Sequence, residues 1–182
     1  MIQINSISVG FPDRIYLVGF MGCGKSTAGK QLAKMLGYRF TDLDKMIEHQ
    51  YKTSIPLLFE KYDEHAFRLI EQKALHETTA FTKTVIATGG GTPVYFDNMD
   101  FILQNGLTIY IELSPKALTN RLSNAKKKRP LIKKAESDEI TIIIEEKLSQ
   151  REDIYKKAHL TVPGINMQTS TLVKVIRDYV SR

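Results

Sequence analysis

The run Gly19-Phe20-Met21-Gly22-Cys23-Gly24-Lys25-Ser26-Thr27 places a lysine and two hydroxyls directly behind three spaced glycines. Glycine opens backbone conformations closed to most residues, so consecutive N–H groups can converge on phosphate oxygens at a helix N-terminus. In the pattern G-x-x-x-x-G-K-[ST] the lysine reaches the β and γ phosphates of a nucleoside triphosphate, and the next hydroxyl meets Mg²⁺. Lys25 and Ser26 hold those positions, and Gly22, Cys23, Gly24 and Thr27 supply the backbone around them. Cys23 is the single cysteine, which excludes an intramolecular disulfide framework. It reads as a small loop filler, with a thiol activated by the helix N-terminus as the alternative.

Asp42 and Asp44 stand two residues apart at the end of the short run Tyr38-Arg39-Phe40-Thr41. Two carboxylates leaving a strand can both face a crevice beyond the sheet. One can hold Mg²⁺ through water while the other accepts a hydrogen bond from a hydroxylated acceptor. For Asp44 a helix N-cap is the competing reading. Arg68 precedes Glu71 by three residues, which fits either a surface helix pair or a buried carboxylate-reading arginine held by its neighbour. Gly89-Gly90-Gly91 marks a close approach to the backbone at the end of a strand. The basic run from Lys126 to Lys134 contains Arg129 and no aromatic residue to stack bases. A lid over phosphates, with an arginine on the transferring group, suits the glycine-rich loop better than a nucleic-acid patch.

Strands and helices alternate along the chain, the pattern of an α/β fold with a parallel sheet. Strands are predicted at Arg14 to Val18, Tyr38 to Thr41, Thr84 to Thr88, Leu107 to Leu113 and Leu160 to Val162. A helix from Thr27 to Leu36 carries Ala28, Leu32, Ala33, Met35 and Leu36 on its packing face and stops at Gly37. Residues 43–80 read as helix interrupted near Thr53, Ser54 and Pro56, with Ile47, Leu57, Leu58, Phe59, Phe67, Ile70 and Leu75 packing. This block exceeds an ordinary crossover and is a candidate acceptor-binding insert. Further helices are expected from Pro93 through Leu103, from Ser114-Pro115 through Leu122, from Asp138 to Lys157 and from Ser170 to Val180.

The 182 residues suit one domain, and 42% hydrophobic with 25% charged residues is ordinary globular composition. The formal charge of +6 suits a small anionic substrate as well as nucleic acid. No apolar run approaches a membrane span, and Met1-Ile2-Gln3-Ile4-Asn5 lacks the basic start of a secretory signal, so the cytoplasm is expected.

On these residues the chain resembles the shikimate kinases, in the P-loop NTPase group related to nucleoside-monophosphate kinases, from about Arg14 to Tyr179. The matching stretches are Gly19 to Thr27, Phe40-Thr41-Asp42-Leu43-Asp44 with Ile47-Glu48, Phe67-Arg68-Leu69-Ile70-Glu71, Gly89-Gly90-Gly91, Arg129-Pro130-Leu131, and Arg151 with Tyr155 and Ala158. The resemblance implies a three-layer α/β/α fold with a five-stranded parallel sheet in the order 2-3-1-4-5, the insert near 43–80 and a basic lid near 123–137. It implies transfer of the γ-phosphoryl group of MgATP to the 3-hydroxyl of shikimate, by a monomer that needs neither nucleic acid nor a membrane. Lys25, Asp44 and Arg129 are then the catalytic residues, with Asp44 binding the acceptor hydroxyls. Arg68 and Arg151 clamp the shikimate carboxylate, and Gly89, Gly90 and Gly91 line the ring. Ser26 and Asp42 serve the metal, Arg129 the phosphates from the lid, and Arg121 packs near adenine. Asp63, Asp153 and His159 depart from the usual Gly, Pro and Asp of that pattern. The rival readings are a P-loop kinase of another small hydroxy acid such as gluconate, and a nucleic-acid-binding P-loop protein.

Overall fold

The computed structural model describes residues 11–124 and 137–181. Ile15-Tyr16-Leu17-Val18 lacks polar alternation, as a strand covered on both faces requires. Strand β1 (Arg14–Val18) accordingly lies mid-sheet with those four side chains sealed from solvent. It feeds α1 (Lys25–Leu36), and β2 (Arg39–Asp42) leads into α2 (Leu43–Tyr51), α3 (Ile55–Lys61) and α4 (Glu64–Glu77). Then follow β3 (Thr84–Ala87), α5 (Asn98–Asn105), β4 (Leu107–Glu112), α6 (Pro115–Ser123), α7 (Ser137–Ser149), α8 (Glu152–Tyr155), β5 (Leu160–Pro163) and α9 (Thr169–Val180).

All strand pairs are parallel and the order is β2-β3-β1-β4-β5, the expected topology, in a three-layer α/β/α sandwich. Because β1 is flanked by β3 and β4, the connections leaving their carboxyl ends open onto one crevice, where ligands of such sheets bind. Local signals set the element ends. Gly37 terminates α1 with φ 67°, and the Ser114 hydroxyl accepts from the Ala117 N–H at the start of α6.

Several expected boundaries move. Helix α1 begins at Lys25, two residues before Thr27, so the lysine itself sits in the first turn. Met35 lies outside its packing face and is exposed, while Gly29 lies inside it. The 43–80 block is three helices and a 3-10 turn, and the seven-residue α3 buries only Leu58, leaving Leu57 and Phe59 exposed on either side. After the triple glycine the chain forms a 3-10 turn at Thr92–Val94, and α5 starts only at Asn98. The helix expected from Asp138 to Lys157 is broken after Ser149, and Arg151 caps the separate single turn α8. No glycine or proline marks that break. The buried Tyr155 ring, 5.3 Å from that of Tyr110, accounts for the redirected chain.

Candidate active site

Gly24 caps α1 with φ 105°, a left-handed conformation that glycine adopts without strain. Gly19 and Gly22 also have positive φ, 135° and 81°. The first turn of α1 contains no acidic residue of its own. Lys25 is buried and folded back, donating from Nζ to the carbonyl oxygens of Gly19 at 2.6 Å and Phe20 at 2.9 Å. The Ser26 hydroxyl donates to Asp42 Oδ2 at 2.5 Å. Cys23 is buried beneath the loop, and Thr27 is exposed on its outer side.

Arg121 ties the loop to the segment after β5, donating from Nη1 to the Cys23 carbonyl and from Nη2 to the Gly164 carbonyl, each at 2.9 Å. Both bonds fix this guanidinium at the rim of the loop. Arg129 lies outside the described residues.

The two aspartates divide their tasks. Asp42, not Asp44, caps α2, accepting at Oδ1 from the Lys45 N–H at 3.3 Å. Asp44 stands in the first turn and faces Gly89, where a Cβ would lie 2.9 Å from its Oδ1 and 2.7 Å from Glu71 Oε1. A carboxylate from α2 and one from α4 therefore converge on the space that a side chain at Gly89 would fill.

Arg68 and Glu71 form the buried form of their pair, with Nη1 donating to Oε2 at 2.8 Å. Nη2 donates to Glu64 Oε1 at 3.0 Å. Burial opposes the charge of Arg68, but the Glu71 and Glu64 carboxylates outweigh it and raise its pKa above the ordinary value. A Cβ on Gly91 would fall 2.6 Å from Arg68 Nη1, so the third glycine clears space for the guanidinium. Gly90 instead lies against the Met21 backbone, and its carbonyl accepts from the Tyr155 hydroxyl. None of the three glycines has positive φ; close approach is what requires them.

Arg151, in the break between α7 and α8, has its Cζ 5.8 Å from the Phe20 ring centroid. Burial pushes the Tyr155 phenol up to about 12, opposed by the charge of Arg151. Among the described residues, no three or more His, Cys, Asp or Glu side chains gather as a metal cage.

A family model for shikimate kinase matches residues 21–181. The chain belongs to the shikimate kinase family. Shikimate kinase from Parabacteroides distasonis is 42% identical over 165 residues, covering 91% of this chain and 95% of that protein. Among solved structures, shikimate kinase from Bacteroides thetaiotaomicron superposes with a TM-score of 0.87 at 34% identity, covering 94% of this chain and 99% of that one. Shikimate kinase from Acinetobacter baumannii in complex with shikimate gives a TM-score of 0.83 at 32% identity, covering 91% and 93%.

Two departures from the family pattern have structural roles. The Asp63 side chain caps α4, accepting from the Ala66 N–H at 2.7 Å. His159 Nδ1 accepts from the Thr108 N–H at 3.0 Å, so this imidazole is an acceptor where an aspartate is usual. Asp153 is exposed in α8 and nothing in the structure explains it. Three contacts escaped the sequence reading. The Thr92 hydroxyl donates to Glu71 Oε1, the Tyr95 hydroxyl donates to Glu64 Oε1, and Glu64 itself binds Arg68. Glu64 lies four residues before Arg68, a spacing that places both on one helix face. Thr92 and Tyr95 carried no local signal.

Proposed function

We infer that the chain transfers the γ-phosphoryl group of ATP to the 3-hydroxyl of shikimate, giving shikimate 3-phosphate and ADP. The observation that carries this reading is the approach of Asp44 and of Glu71-held Arg68 to the same triple glycine, Asp44 at Gly89 and the Arg68 guanidinium at Gly91. A small acceptor with a carboxylate at one end and hydroxyls at the other complements that arrangement. Arg68 and Arg151 bind the carboxylate, and Asp44 accepts a hydrogen bond from the reacting hydroxyl. Gly89, Gly90 and Gly91 lie along the ring.

The backbone of Gly22, Cys23, Gly24 and Thr27 cradles the phosphates at the N-terminus of α1, and Lys25 exchanges its two carbonyl partners for phosphate oxygens. Ser26 and Asp42 offer hard oxygen atoms side by side, a donor set that fits Mg²⁺ with phosphate and water completing its shell. When bound, the ion neutralises charge on the β and γ phosphate oxygens. A bond forms from the acceptor oxygen to γ-phosphorus as the bond to the bridging oxygen of ADP breaks, and Asp44 takes the hydroxyl proton. Arg121 borders the adenine side, and Arg129, outside the described residues, is assigned to the phosphates.

Residues 1–182 act as one kinase domain, with the acceptor insert at 43–80, working as a monomer in the cytoplasm and binding no nucleic acid. Among the described residues no helix is long and apolar enough to cross a membrane. Phosphorus NMR of the product tests the regiochemistry: coupling of the new phosphate to the C3 proton supports the assignment, and coupling at another carbon overturns it.

A further inference from the structure

Tyr95 lies between the Thr92–Val94 turn and α5, with Arg68 Cζ 4.1 Å from its ring centroid. The Phe67 and Phe59 rings lie farther from Arg68, at 5.3 and 5.7 Å. The Tyr95 hydroxyl donates to Glu64 Oε1 at 2.6 Å, and that same oxygen accepts from Arg68 Nη2 at 3.0 Å. Tyr95 thus touches the guanidinium through its ring and reaches it again through Glu64. Those two hydrogen bonds hold the Glu64 carboxyl below the usual range, favouring the ionised acceptor that both donors need.

The next residue, Phe96, has φ 54°, in the left-handed region that an aromatic side chain rarely adopts. Its ring meets His65 edge-on, with centroids 5.9 Å apart. Consecutive residues of this loop are therefore fastened to consecutive residues in the first turn of α4. On the inner side Glu71 holds Nη1, and the Thr92 hydroxyl holds Glu71.

Bidentate recognition requires a guanidinium to present one edge in a defined plane. Glu71 and Glu64 fix the rotation of Arg68 within that plane, and an aromatic face stacked on it fixes the plane itself. We propose that Tyr95 is a positioning residue that sets the Arg68 guanidinium plane for the acceptor carboxylate, through its ring face and its hydrogen bond to Glu64. This rests on the reading of Arg68 as part of the carboxylate clamp.

Steady-state kinetics of the full chain with MgATP and shikimate tests it. Tyr95→Ala raises the shikimate KM about tenfold, the scale of a lost guanidinium–aromatic contact. Its ATP KM and thermal midpoint stay at the parent values. Tyr95→Phe, which keeps the ring, recovers most of the loss. In an Arg68→Lys background, which has no planar fork to orient, Tyr95→Ala adds no further increase. Tyr95→Leu keeps the bulk without the π face and matches Tyr95→Ala, and it serves as the variant if the alanine protein does not fold. An unchanged shikimate KM in folded Tyr95→Ala or Tyr95→Leu overturns the proposal, as does a full tenfold effect of Tyr95→Ala that persists in the Arg68→Lys background. If Arg68→Ala itself leaves the shikimate KM unchanged, the clamp reading fails instead.

Discussion

The Arg68 guanidinium and the Glu71 carboxylate meet at 2.8 Å with only 10% and 2% of their side chains exposed. Removing one member of such a buried pair strands the other. Arg68→Ala is expected to raise the shikimate KM at least about 30-fold while the ATP KM stays nearly constant. Glu71→Ala is expected to destabilise the fold by about 3 kcal/mol, lowering the thermal midpoint by roughly 5–10 °C. Paired kinetic and melting measurements on the two variants check both effects, and equal loss of affinity for both substrates in Arg68→Ala removes it from the clamp.

Asp42 has two jobs that substitution can separate, since its two oxygens face different partners, the Ser26 hydroxyl and the Lys45 N–H. Asp42→Asn keeps an acceptor for the cap but loses the charge beside the metal position. Turnover should fall about 10- to 100-fold, with a raised Mg²⁺ requirement and a melting midpoint close to the parent. Asp42→Ala should show the same kinetic loss together with about 1 kcal/mol of lost cap energy. Mg²⁺ titrations of kcat alongside thermal melts distinguish the two.

Gly91→Ala and Gly90→Ala should damage different substrates. The added methyl at Gly91 would sit 2.6 Å from Arg68 Nη1, whereas at Gly90 it would sit 3.0 Å from the Met21 backbone nitrogen. Gly91→Ala is therefore expected to raise the shikimate KM about tenfold by displacing the guanidinium. Gly90→Ala presses on the phosphate-binding loop and is expected to act mainly on the ATP KM. Separate KM determinations for the two substrates check the split.

His159 gives a pH dependence of stability. Burial lowers its pKa below the ordinary 6.5, and its Nδ1 must be unprotonated to accept from the Thr108 N–H. Between the folded and unfolded pKa values the unfolded chain binds more protons, so this contribution is complete above about pH 6.5 and is lost as pH falls through the folded value. His159→Asn keeps an acceptor without a titration. Its melting midpoint should vary less than that of the parent between about pH 7 and pH 5; an unchanged slope contradicts the role.

The sheet and the phosphate-binding loop were legible because their signals are local. Continuous apolar runs marked the strands, and a fixed spacing of Gly, Lys and Ser marked the loop. Sequence separation hid the rest. The break at Arg151 is set by Tyr155 packing on Tyr110, 45 positions earlier, and hydrogen bonding to Gly90, 65 positions away. Helical spacing could not tell that α3 would bury Leu58 alone, because that depends on what its neighbours cover. The cap at Asp42 and the Gly89-facing place of Asp44 differ by two residues, within the uncertainty of any helix start read from sequence. The choice between a surface and a buried Arg68–Glu71 pair needed the burial itself.

The most direct test of the phosphoryl-transfer reading is ADP release from MgATP with shikimate, quinate, gluconate and no acceptor in parallel. Release that depends strongly on shikimate is the expected result. Release without any acceptor would make the protein an ATPase, and a preference for gluconate would contradict the pairing of Arg68 and Arg151 as a shikimate clamp.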